Sequence, residues 1–263
     1  MTDIPNRSFP YRWVDMRFGQ ANYAGDNGQF GPPPGVADAN VLAVSWQPAF
    51  CETYGYRAGK PECLELSSTS YQAKHLVLHG LWPNASDYGF NYSYCGARKQ
   101  AHHCSYEPVQ LSEPVATKLR QFMPSFAYGS CLERHEWNRH GSCQLLSQDD
   151  YFSLALRLNE EVNESTYMRF IQAHIGESVS LADIHKAFDA AFGDGSANKV
   201  YFGCSRGALV DMFINLPALL PYDQNLKTLV GDAAESNRSD GCPSMVRISN
   251  FYTQGSNQYA GVI

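Results

Sequence analysis

The stretch from Cys131 to Cys143, C-L-E-R-H-E-W-N-R-H-G-S-C, holds the densest set of chemically able side chains in the chain. Good helix formers that run into Gly141 predict one helix over 131–143. On a helix, residues four apart stack along one face and neighbours are turned by about 100°. His135 therefore stands over Arg139 and Glu136 over His140, in two adjacent columns. Two imidazoles that titrate near neutral pH share a strip with a guanidinium and a carboxylate, a grouping that a merely solvated face rarely needs. The plainer alternative is a surface helix with i,i+4 pairs, each contributing a few tenths of a kcal/mol. A zinc site of the H-E-x-x-H type is a second alternative, and it fails on spacing. Arg139 occupies the fourth position after His135, and His140 lies one residue too far. A cation in the ligand position repels a metal.

A second segment, HLVLHGLWP (75–83), reads as a strand closed by Gly80 and Pro83. His79 stands where its apolar run ends, and a polar residue at a strand end facing a cleft is a usual place for chemistry. On its own, a lone histidine such as His79 is more often structural, and Trp82 likewise is either core or a stacking surface. The aromatic loop YGFNYSY (88–94), with Tyr88 and Tyr92, is either packing or a platform for bases.

The elements that must position these residues follow from periodicity. VLAVSWQPAFC (41–51) is a second apolar, partly β-branched strand. Residues 84–110 read as a loop, and 114–123 as a helix after Ser112. Segments 149–162 and 180–193 carry apolar residues at three- and four-residue intervals behind Asp and Ser caps, which predicts two further helices. Segments 199–205, 208–216 and 245–252 alternate as antiparallel strands, the first two joined through Arg206-Gly207 as a hairpin. The class is α+β, a central, mainly antiparallel sheet flanked by helices. Residues 1–36, with their GQFGPPPG stretch, read as an irregular arm that wraps the domain or moves, and 37–263 as one domain.

The net charge of −6 argues against a stoichiometric nucleic-acid binder, which needs a basic face, but not against an enzyme that must release its product. Eight cysteines in a loop-rich chain place the protein where disulfides persist, in a periplasm or outside the cell. The opening MTDIPNRSFPYRW lacks the basic start and apolar run of a signal peptide, so export implies a leader already removed. No run approaches the roughly 18 apolar residues of a membrane span. N-x-S sequons at Asn6, Asn84, Asn91, Asn163 and Asn237 do not decide the host.

HLVLHGLWPN and LERHEWNRHGSC resemble the two active-site segments of the ribonuclease T2 family, and VLAVSWQPAFC resembles its opening strand. The similarity is nearest to the bacterial periplasmic ribonuclease I branch and extends over roughly residues 40–252. The resemblance implies an endoribonuclease that cleaves single-stranded RNA with low base specificity and needs neither metal nor cofactor. Its reaction is attack of the 2′-OH on phosphorus, giving a 2′,3′-cyclic phosphate. By position in the family's motifs, His140 matches the general base, His79 the general acid and His135 a phosphate-binding residue. Glu136 and Arg139 match the pair that stabilises the pentacovalent state. Trp82, Asn84, Tyr88 and Tyr92 are the candidates for contact with bases. Arg139 stands where the family usually has lysine, and Asn84 where relatives carry Asp, so base preference does not transfer.

A helix over 131–143 would set Cys131 and Cys143 about 18 Å apart, beyond disulfide reach. The resemblance suggests Cys95–Cys143 and Cys204–Cys242; of the three ways to pair the other four cysteines, Cys51–Cys63 with Cys104–Cys131 is the one expected. RNA is the expected partner, with no membrane and no obligatory protein partner, and the chain is expected to act as a monomer. A binding protein that has lost catalysis is the non-enzymatic alternative, and the filled catalytic positions weigh against it.

Overall fold

The computed structural model describes residues 31–89 and 92–251. Of the arm expected over 1–36, residues 1–30 therefore lie outside the described residues. The apolar run after it forms β1 (Ala39–Trp46), buried along nearly its whole length, as a central strand must be. The strand expected to reach Cys51 stops at Trp46, because Pro48 has no N–H for the ladder. The chain turns there into a helical turn, Gln47–Phe50, and a wider one, Cys51–Gly55.

β1 pairs antiparallel with β2 (Leu76–Asn84) on one side and with β5 (Ala208–Pro217) on the other. β4 (Val200–Ser205) also joins β5, through the Arg206-Gly207 turn. Both turn residues have positive φ, 51° and 76°, as a two-residue hairpin requires. β6 (Met245–Arg247) runs parallel to β5, and β3 (Ser178–Ser180) antiparallel to β6. The sheet order is β2-β1-β5-β6-β3. The strand expected over 245–252 keeps only three residues; Ile248 still bonds to the backbone of Gly176 and Glu177 just before β3, and the ladder ends there.

The longer helices are α1 (Glu113–Phe122), α2 (Leu132–Arg139), α3 (Gln148–Glu164), α4 (Thr166–Ala173), α5 (Leu181–Phe192) and α6 (Leu226–Asp232). The cap of α3 is Ser147 rather than an aspartate: its hydroxyl accepts from the Asp150 N–H and donates to the Asp150 carboxylate. α4 was hidden because only Ser165, its cap, separates it from α3. α6 was hidden in a stretch of loop composition, and Asn225 caps it. The α+β architecture is as expected, and no helix of the described residues is long and apolar enough to cross a membrane.

One sheet face supplies Leu42, Val44, Leu78, Leu81, Met212 and Ile214 to the core, where they meet α1, α3, α4 and α5. Each such side chain contributes about 1.5–3 kcal/mol by leaving water. β2 is an edge strand, and α3 covers its free backbone groups. The Tyr151 hydroxyl donates to the Leu81 carbonyl (2.8 Å) and accepts from the Leu81 N–H (3.3 Å). The Asn163 amide makes the same double contact with Leu76, at 2.9 and 2.8 Å. β2 is thus fixed on both sides. Disulfides join Cys51–Cys63, Cys95–Cys143, Cys104–Cys131 and Cys204–Cys242.

Candidate active site

His79 owes its position to an irregularity in the ladder. Gly80 faces Ala43 and Leu78 faces Val44, so His79 is the extra residue of a β-bulge with no partner on β1. Leu76 and Leu78 reach the core before the bulge and Leu81 reaches it afterwards, so the alternation changes parity at His79. His79 and Trp82, three residues apart, would leave a regular strand on opposite faces. The bulge brings them together, edge to face, with ring centroids 5.3 Å apart.

α2 runs beside β2 and is shorter than expected. Its helix ends at Arg139, and His140 (φ −118°, ψ −52°) closes it by donating its N–H to the Glu136 carbonyl (2.9 Å). Gly141–Cys143 then forms a separate 3₁₀ turn, and Gly141 lies so close to the Trp137 ring that no side chain fits at that position. Departure from the helix swings the His140 ring onto Trp82, stacked at 5.1 Å. His79 and His140 thus flank one indole. Glu136, 1% exposed, accepts from Trp82 Nε1 at 2.7 Å, and its other oxygen lies 3.9 Å from His79 Nε2. Gly80 makes room for that carboxylate: a Cβ there would lie 2.0 Å from Glu136 Oε2.

The two flanking histidines sit in opposite electrostatic settings. Burial works against a charged His79, but the carboxylate of Asp211, 3.6 Å from Nδ1, and that of Glu136 overcome it, so its pKa is raised. Burial, then Arg139, His135 and His79, push His140 well below an ordinary imidazole. Its Nδ1 is buried without a partner among the described residues. His135 is lowered to about 4 by burial, His103 and Arg139. Burial raises Glu136 against the pull of His79, the Trp82 N–H and Arg139. The Arg139 side chain is exposed and has no hydrogen bond or ion pair among the described residues.

The family model described as the ribonuclease T2 family matches residues 37–216. The chain belongs to the ribonuclease T2 family. It is 32% identical to "Ribonuclease I" of Escherichia coli over 189 residues, 65% of this chain and 70% of that one. It is 30% identical to "Extracellular ribonuclease LE" of Solanum lycopersicum over 164 residues, 59% and 65% of the two chains. The self-incompatibility-associated SF11-RNase of Nicotiana alata shares the fold with a TM-score of 0.57 at 18% identity, covering 81% of this chain and all of that one.

Of the base-contact candidates in this T2-family chain, one is buried and otherwise engaged. Tyr92 is 3% exposed; its hydroxyl accepts from the Val36 N–H and faces the carbonyls of Pro33 and Cys143, each at 3.2 Å. It anchors a loop and has no face for a base. Trp82 is half-buried: His140 stacks on it at 5.1 Å, Phe213 packs against it at 5.5 Å, and its Nε1 donates to Glu136. Tyr88, 37% exposed, and Asn84, exposed at the end of β2, remain open to ligand.

Three residues near the site were not singled out from sequence. His103 stacks on His135 at 4.2 Å, brought there by the Cys104–Cys131 bridge. Pairing Cys104 with Cys131 is the signal that would have found it. Ser45 and Asp211 face each other across β1 and β5, and both lie beside His79 Nδ1. An aspartate inside the buried alternation of A-L-V-D-M-F-I-N-L was the mark of Asp211. A cavity of about 280 Å³ beside His79 is lined by Ser45, Lys60, His103 and Asp211 among others.

Proposed function

We propose that this T2-family endoribonuclease cleaves single-stranded RNA by acid–base transesterification between His140 and His79, with little discrimination among bases. His140 Nε2 takes the proton of the ribose 2′-OH, and the 2′-oxygen attacks the adjacent phosphorus. The phosphorus–O5′ bond breaks as His79 gives its proton to the departing oxygen. The products are a 2′,3′-cyclic phosphate and a free 5′-OH. His135, Glu136 and Arg139 meet the charge that builds on the phosphate oxygens.

The observation that carries this reading is the placing of two imidazoles on either side of one indole, one held between carboxylates and the other beside a guanidinium. Environments that split two like groups in this way assign the acid and the base. The cavity beside His79 lies on the side of the leaving nucleotide, while Tyr88 and Asn84 are open to a base. DNA is not a substrate because the nucleophile is the 2′-OH itself. Four disulfides suit a site of action outside the cytosol.

Digestion of mixed-sequence RNA in EDTA, followed by analysis of product ends, tests the reading. Cyclic phosphate and 5′-OH ends at undiminished rate are expected. Ends bearing a 5′-phosphate, cleavage of DNA, or turnover that requires a divalent metal would overturn it.

A further inference from the structure

We propose that Asp211, acting through Ser45, is a positioning residue that orients the His79 ring and stabilises the proton which its Nε2 delivers. The proposal rests on the assignment of His79 as the acid. Ser45 and Asp211 are direct cross-strand partners on the sheet face opposite the core, and the bulge turns His79 to that same face. The Ser45 hydroxyl donates to Asp211 Oδ1 at 2.5 Å, so its oxygen is left to accept. His79 Nδ1 lies 3.4 Å from that hydroxyl and 3.6 Å from Asp211 Oδ1. With its proton on Nδ1, His79 donates to Ser45, which donates to Asp211, and bonds in such a chain polarise one another. Nε2 then points the other way, 3.9 Å from Glu136 Oε1 and unbonded, ready for a substrate oxygen.

Other charges face His79 as well. Glu136 and Arg139 approach from α2, and His135, His140 and His103 are close enough to interact with it. Glu136 also favours the imidazolium, but it stands on the Nε2 side, where it meets the reacting phosphate. Asp211 stands behind the ring and touches no reacting atom. The competing account is a cross-strand polar pair that only stabilises the sheet.

The test compares Asp211→Asn with the unaltered enzyme between pH 4 and 9, on a dinucleotide and on a uridine 3′-nitrophenyl phosphate, whose leaving group needs no proton. An opposite charge at this range shifts a titration by about one unit or more. Asp211→Asn should therefore lose about tenfold or more in kcat at pH 8 on the dinucleotide, but no more than about threefold at pH 5, with KM little changed. On the nitrophenyl ester the loss should shrink to about twofold or less, and Asp211→Glu should recover most of the alkaline activity. A loss equal at every pH and on both substrates overturns the proposal. His79→Ala run alongside separates the two readings: if it is no more impaired on the dinucleotide than on the ester, the acid assignment fails. Should Asp211→Asn not fold, Asp211→Ala, which brings no amide to satisfy, takes its place under the same criteria.

Discussion

Replacing Gly80 by alanine should disable the site without disturbing the sheet. The backbone of Gly80 is extended, so alanine carries no conformational penalty there, and the conflict is purely one of space. The new methyl would lie 2.0 Å from Glu136 Oε2 and 2.5 Å from Trp82 Nε1. Carbon and oxygen do not approach so closely, and the carboxylate must retreat by about 1 Å or more. Glu136 is buried with its helix fixed against β2, so retreat breaks the 2.7 Å bond from Trp82. A hydrogen bond to a charged group is worth about 1.5–3 kcal/mol, which is about 10- to 150-fold in rate if it is lost from the transition state. Displacing a catalytic group by about 1 Å gives a similar figure, about 100-fold. We therefore expect kcat on a dinucleotide to fall about 100-fold with KM nearly constant. In a Glu136→Ala background the conflict with the carboxylate is gone and only that with Trp82 Nε1 is left, so the same change should cost about tenfold or less. Gly80→Ala that keeps more than a third of the activity, or losses that multiply in the double variant, would refute the reasoning.

The histidine environments set a bell-shaped pH profile. His140, lowered, must be neutral and gains competence as pH rises through its depressed pKa; His79, raised, must be charged and loses competence as pH rises through its elevated one. The plateau of kcat/KM should span pH 6.5, the ordinary imidazole value, and a profile still climbing above pH 7.5 would contradict the assignment. Arg139→Lys should change kcat/KM less than about tenfold, since the exposed side chain has no fixed partner to lose; a gain above tenfold would mark the guanidinium as a handicap.

Much of this site was legible in the spacing of a few residues. His135, Glu136, Arg139 and His140 fall on one short segment whose helical character needed no outside information. What spacing missed was the end of that helix at Arg139, since the stacking of His140 on Trp82 joins positions 58 residues apart. His79 was visible as a residue but not as a bulge, since an unpaired strand position is defined by the partner strand. Tyr92 looked like a base platform because burial cannot be read from aromatic character. Asp211 lies 132 positions from His79, and only the register of β1 against β5 brings it into range.

The two bridges beside α2 give the enzyme a dependence on its surroundings. Cys104–Cys131 holds the residue just before the helix, and Cys95–Cys143 the turn just after it. Eight residues are too few for a helix to persist unaided, whereas the sheet and the longer helices draw on the main core. Thiols left reduced would therefore slacken the catalytic segment while most of the fold survives. Cleavage is then expected to follow the redox state of the surroundings, weak while the thiols are reduced and full once the two bridges have closed. Titration with dithiothreitol should extinguish cleavage at concentrations that leave far-ultraviolet dichroism intact; simultaneous loss of both would show that the staples hold the whole body and not the site alone.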